Sequence, residues 1–289
     1  MILQEFLRYY KSKFNAILTV VLSIIVGASY YSTYLQKKEW VDVMHSGAKD
    51  VNVEKVSAII SGYTGSYYFE SFLFSSDYNS LAALILLIGF GISLGSITFK
   101  SVQSNYGTMV VTRMSYKNYL KKVLIAQALY MSTYVIGFFL IVFVLTVLFL
   151  GGILISPNSF VGNLSIMQYL AFLGISIIHL SVYIIVIILI TTVSPLFLKN
   201  RYVIQLFPFI IIMITYFISN VLGNVNEDLA FLTSFIVLDN ILFSSIGLFN
   251  SSKSTLMIIM TSSIFIVISM IVFTFIYKAN IKKFGQDYI

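Results

Sequence analysis

KSVQSNYGTMVVTRMSYKNYLKK, residues 100–122, separates two long apolar runs at 80–99 and 123–150. It carries five basic residues, Lys100, Arg113, Lys117, Lys121 and Lys122, and no acid. Basic residues between spans are retained on the cytoplasmic side, so this stretch is an inner loop. Arg113, Lys117 and Lys121 recur every fourth residue and align on one helical face. Met109, Tyr116, Leu120 and Val123 fall on another. Gly107 can supply a bend that other residues resist, and Ser115 suits the N-cap of a helix entering the next span. The pattern predicts two short helical pieces at an elbow beneath a membrane. Basic flanks around an ordinary loop would leave a similar trace.

Composition sets the class. Of 289 residues, 58% are hydrophobic and 10% charged, against roughly 25% charged in a soluble domain. The expectation is an all-α polytopic membrane protein. The absence of cysteine excludes disulfides and thiolate chemistry. The net charge of +7 follows from loop asymmetry and does not indicate nucleic-acid binding.

Residues 1–14 predict an amphipathic interfacial helix. Ile2, Leu3, Phe6, Leu7, Tyr10 and Phe14 form one stripe, with Gln4, Glu5, Arg8, Lys11 and Ser12 opposite. No small-residue cleavage site follows, so it does not read as a signal peptide. Six transmembrane helices are predicted at about 15–35, 80–99, 123–150, 168–194, 202–222 and 255–277. Residues 36–79 are predicted to form a polar outer loop whose second half, from Val56, packs on the membrane surface or lines an exit. Gly91 and Gly95 make a GxxxG spacing for close helix packing, within one subunit or between two. Gly151-Gly152 ends the third span, and Pro208 predicts a kink in the fifth. Residues 223–254 hold apolar segments too short to cross, which predicts an outer re-entrant hairpin; Asp239 is expected there, solvated or capping a half-helix. His179 is an intramembrane polar site, and with no acid in any span its expected role is hydrogen-bonded packing. With both termini inside, thirteen of the 18 Lys and Arg residues and only two of the 11 acids fall on inner segments.

There is no GxxxxGK[ST], HExxH or GxSxG, so no catalytic or metal site is predicted. No predicted span holds Asp, Glu, Lys or Arg, which argues against proton- or ion-coupled transport. An energy source on another protein is the simplest completion. The alternative is an ATPase-independent membrane protein: a channel, a scaffold, or an enzyme using His179 and serines.

The run Tyr106-Gly107-Thr108, followed by Thr112-Arg113-Met114-Ser115-Tyr116-Lys117-Asn118-Tyr119-Leu120, resembles the loop between spans two and three of type V (ABC-2 type) ATP-binding-cassette permeases. In that family a Gly, often followed by Thr, ends a coupling helix that fits a cleft on the ATPase. Family members usually carry an acid just before the Gly, where this chain has Gln103, Ser104 and Asn105. The resemblance implies an exporter permease of a bacterial plasma membrane. It would pair with a second, identical or homologous, permease and with ATPase subunits that hold ATP and Mg. The cargo would be an amphipathic peptide, lipid or drug. ATPase-coupling roles would fall to Tyr106, Gly107, Thr108, Met109, Arg113, Ser115 and Lys117. Phe6 and Arg8 on the N-terminal helix would contribute to the same contact.

Overall fold

A computed structural model of the chain describes residues 2–46, 52–75, 77–103, 115–153, 165–193, 200–225, 266–279 and 281–282. Among them all regular structure is helical. Helix α1 is Ile2–Tyr10, α2 Lys13–His45, α3 Val53–Ser61 and α4 Gly65–Glu70; a π-helical turn, Ser71–Ser75, follows α4. Next come α5 Asp77–Gln103, α6 Tyr116–Phe149, α7 Ile166–Val193 and α8 Arg201–Val225. Helix α9 is Ile266–Ala279. Four helices have the length and apolarity to cross a membrane: α2, α5 over Tyr78–Gly95, α6 and α7. This is a helical membrane protein.

Local chemistry sets the ends of these helices. Ser12 caps α2, its side chain accepting from Phe14 N. Ser115 occupies the predicted N-cap position of α6, but its side chain makes no capping bond; its carbonyl accepts from Tyr119 N at 3.0 Å. Tyr116, Leu120 and Val123 turn inward or lie half-covered, while Lys117 and Lys121 are exposed, as their spacing predicts. Helix α6 stops at Leu150 because Gly151 (φ +100°) and Gly152 (φ +86°) turn left-handed. Gly152 N then bonds Val147 O at 2.9 Å, which closes a Schellman motif. Ser165 and Gln168 form a reciprocal capping box at the start of α7. Asn200 caps α8 through Tyr202 N at 2.9 Å.

Helices α2, α6 and α8 run one way, and α5 and α7 run back between them. Core residues recur at helical spacing: Leu18, Leu22 and Ile25 on α2, Leu86, Phe90 and Leu94 on α5, Ile177, Leu180 and Ile184 on α7. Opposite faces are also apolar, with Ile17, Val20 and Ile24 exposed on α2 and Ile141, Leu145 and Leu148 on α6. A helix apolar all round needs lipid on its outer face.

Three sequence expectations change. The 1–14 helix is broken, because Ser12 caps a new helix, leaving α1 to end at Tyr10. Its packed face is also rotated: Glu5 and Tyr9 are buried against the bundle, while Leu3, Leu7 and Tyr10 are exposed. The 36–79 segment is no polar loop. Helix α2 continues ten residues past its apolar run to His45, and 63–75 folds into the core. Lys100–Gln103, the start of the predicted elbow, belongs to α5. The rest of the elbow up to Met114, the 226–265 segment with its proposed hairpin, and most of the basic tail lie outside the described residues.

Candidate functional site

Residues 63–75 form a plug at one end of the bundle, wedged between four helices. Gly65 permits the approach to α6: a Cβ there would sit 2.7 Å from Thr146 O and 3.0 Å from Val147 Cα. Ser66 N donates to Gly152 O at 3.3 Å, so the left-handed end of α6 also anchors the plug. On the α2 side, Thr33 donates to Ser29 O, and its Oγ1 hydrogen-bonds Ser71 Oγ at 3.0 Å. On α5, Asn79 Nδ2 donates to Leu73 O at 2.6 Å. Aromatic rings fill the remainder: Phe69 on Phe143 (centroids 5.1 Å apart), Phe72 on Phe139 (6.1 Å) and Phe74 on Phe172 (5.0 Å). The π-helical turn aims Phe72 and Phe74 at two different helices, an irregularity often found at functional positions.

Glu70 closes this plug and is 1% exposed. The Tyr169 hydroxyl of α7 lies beside its carboxylate and donates to Ser66 O at 3.4 Å. Tyr67 lies beside it. A buried carboxylate is costly unless hydrogen bonds compensate it, so Glu70 fixes the plug to α7 at one position.

A second polar cluster lies at the opposite end. Asn15 Nδ2 donates to Tyr9 O at 2.8 Å and Tyr10 O at 3.0 Å, satisfying the last carbonyls of α1. Tyr130 of α6 donates to Asn15 Oδ1. Gln127, fully buried, bonds the Tyr9 hydroxyl, and Thr192 of α7 donates to Gln127 Oε1 at 2.7 Å. Thr19 gives its proton to Asn15 O, so Tyr134 donates to Thr19 at 2.8 Å. Helix α1 is thereby clamped to α2, α6 and α7.

The structure separates the predicted site residues. Phe6 is half-covered and stacks on Tyr10 (5.8 Å). Arg8 pairs with Glu5 at 3.6 Å, its side chain half-exposed. Ser115 and Lys117 stand at the α6 start, at the clamped end. Gly91 and Gly95 pack α5 on α8 within one chain: a Cβ at 91 would lie 2.5 Å from Gln205 O, and one at 95 would lie 3.3 Å from Ile204 Cγ2. Pro208 lies inside α8 and leaves Ile204 O without its helical donor. That carbonyl faces Gly95, 3.6 Å from a Cβ built there. His179 is half-buried on α7, ten residues and about 15 Å of helix from Tyr169. Tyr106, Gly107, Thr108, Met109, Arg113 and Asp239 lie outside the described residues.

Sequence reasoning missed Glu70, assigned to the outer loop, together with Asn15, Gln127 and Tyr130. Two signals were present. The six aromatic residues between Tyr63 and Phe74 are too many for a solvated loop, and Gln127 is a lone amide within an apolar run. Comparison with protein-family models, curated proteins and solved structures finds no match.

Proposed function

We propose that the chain is the permease subunit of an ATP-driven exporter of the type V class, with six spans and both termini cytoplasmic. A partner ATPase, holding ATP and Mg, supplies the energy, and a second permease copy completes the path for an amphipathic cargo. Residues 100–122 take the ATPase contact, helped by α1, and the plug faces outward.

One observation carries this reading. Helix α6 is a single 34-residue helix that starts within the basic stretch, carries Lys117, Lys121 and Lys122, and finishes bonded to the plug. At 1.5 Å per residue it is about 50 Å long, enough to project beyond a bilayer. A push at Lys117 therefore tilts the residues holding Gly65 and Ser66. The clamp through Tyr9, Asn15 and Tyr130 makes α1 move with α6. Water can replace the hydrogen bonds that hold the plug when it opens, while its packed aromatic rings resist opening in the resting state.

Two experiments test the reading. For topology, cysteines at Ser12 and Ser104 should resist an impermeant thiol reagent in intact cells, while those at Ser46 and Ser251 react. Labelling at Ser104 from outside would sink the orientation. For coupling, Gly107→Val and the Tyr106→Ala/Met109→Ala pair should insert normally yet lose ATPase co-purification. Lys121→Gln/Lys122→Gln should have less effect on that association. If Gly107→Val retains ATPase association and transport while the lysine pair fails to insert, the stretch is a plain basic flank and an ATPase-independent function takes precedence.

A further inference from the structure

The stretch of α2 beyond its apolar run forms a cavity with the plug. Tyr34, Lys37, Lys38 and Val41 supply one wall; Tyr63, Tyr68 and Leu150 close the others around about 350 Å³. That volume lies within the range of small-ligand sites, roughly 300–1,000 Å³. Tyr63 and Tyr68 are 7% and 5% exposed, so their rings form a fixed floor. Among the described residues neither Lys37 nor Lys38 makes an ion pair, and no acid lines the cavity. Glu39 lies near Tyr63 but not on the wall.

The donors are oriented. Trp40 Nε1, which can only donate, and the Tyr67 hydroxyl both lie beside the Tyr63 hydroxyl. Burial pushes the Tyr67 hydroxyl up to about 12, so it keeps its proton at neutral pH. With donors as its neighbours, Tyr63 has its own proton left to give. Two ammonium groups on adjacent residues deliver two positive charges to one place. That matches a phosphate monoester, which carries −1.5 to −2 at neutral pH, better than a singly charged carboxylate. Val41, Leu150 and the tyrosine rings provide an apolar wall for whatever the phosphate is attached to.

We infer that this cavity binds a phosphate monoester, with Lys37 and Lys38 holding the phosphoryl group over the Tyr63–Tyr68 floor. The source is either a soluble ester or a lipid headgroup; the inference does not depend on the transport reading. The chain's single tryptophan, Trp40, stands beside the floor and serves as the reporter.

The purified full-length protein in phosphatidylcholine nanodiscs is titrated with glycerol phosphate, with glycerol plus matched salt as control. In a second arm the nanodiscs contain phosphatidic acid. The expected result is a saturable change in Trp40 emission in one arm, and the responding arm identifies the source. Lys37→Gln/Lys38→Gln should weaken it at least tenfold, and Tyr63→Phe a few-fold, with unchanged helical content and elution. These substitutions lie on an exposed extension and at a hydroxyl, so folding should survive. No saturable response in either arm, or an equal response from the double lysine variant, overturns the site.

Discussion

Glu70→Ala is expected to lower the apparent melting temperature of the detergent-purified protein by roughly 5–10 °C. The substitution leaves the buried Tyr169 hydroxyl with only the long contact to Ser66 O, at 3.4 Å. An orphaned buried donor costs about 1–3 kcal/mol, and the void left by the side chain adds a comparable amount. Relief of carboxylate desolvation offsets part of this, so the net loss is about 2–4 kcal/mol. For a domain of this size each kcal/mol moves the midpoint by roughly 2–4 °C. Glu70→Gln separates the contributions, because it keeps an acceptor for Tyr169 and removes the charge. If the hydrogen bonds compensate the carboxylate, Gln costs about 1 kcal/mol; if desolvation dominates, Gln stabilises. Tyr169→Phe should be partly silent in the Glu70→Ala background, with a coupling of about 1 kcal/mol. Unfolding followed by helical circular dichroism measures all four proteins. Strictly additive effects would mean that Glu70 and Tyr169 do not act as one contact. In the proposed exporter, a loosened plug should also allow passage without ATP.

Gly91→Ala is expected to be nearly as damaging, whereas Gly95→Ala is not. A methyl at 91 meets Gln205 O at 2.5 Å, and a helix carbonyl cannot swing aside as a side chain can. Helices α5 and α8 must separate, and overpacking of this kind costs about 1–3 kcal/mol. At position 95 the nearest atom is Ile204 Cγ2 at 3.3 Å, which yields by a small rotation. Alanine also regains up to about 1 kcal/mol of helix propensity, so Gly95→Ala should be neutral or slightly stabilising. Thermal unfolding of both variants, with elution volume as a check on assembly, decides the matter. Equal damage at both positions would point to a contact between chains that the α5–α8 packing does not explain.

The apolar runs were legible because a membrane helix advertises itself by length and hydropathy alone. Ser115, the Gly151-Gly152 stop and the Lys117/Lys121 face were legible for a similar reason, since capping and helical periodicity depend on residues a turn or so apart. The plug was not. Its polar residues look solvated, despite the six aromatic residues among them, until Thr33, Asn79, Gly152 and Tyr169, scattered over more than a hundred positions, supply its partners. Hydropathy registers the cost of Glu70 but not the hydroxyl that offsets it. The extension of α2 was hidden because Lys37 to His45 is polar enough for a loop yet contains no Gly or Pro to stop a helix. The GxxxG spacing was visible, but spacing alone could not say which partner it served or that Gly91 matters more than Gly95.

The clamp on α1 has a consequence for the order of synthesis. Tyr130 lies 115 residues after Asn15, which it bonds. At ribosomal rates of 5–20 residues per second, α1 waits roughly 6–23 s for that partner. Tyr9 meanwhile lacks Gln127, and the exposed Leu3, Leu7 and Tyr10 give the young helix a lipid-facing side on which to rest. The apolar stripe of Leu3, Leu7 and Tyr10 is still uncovered in the finished fold, so α1 keeps a side suited to lipid both before and after α6 is made.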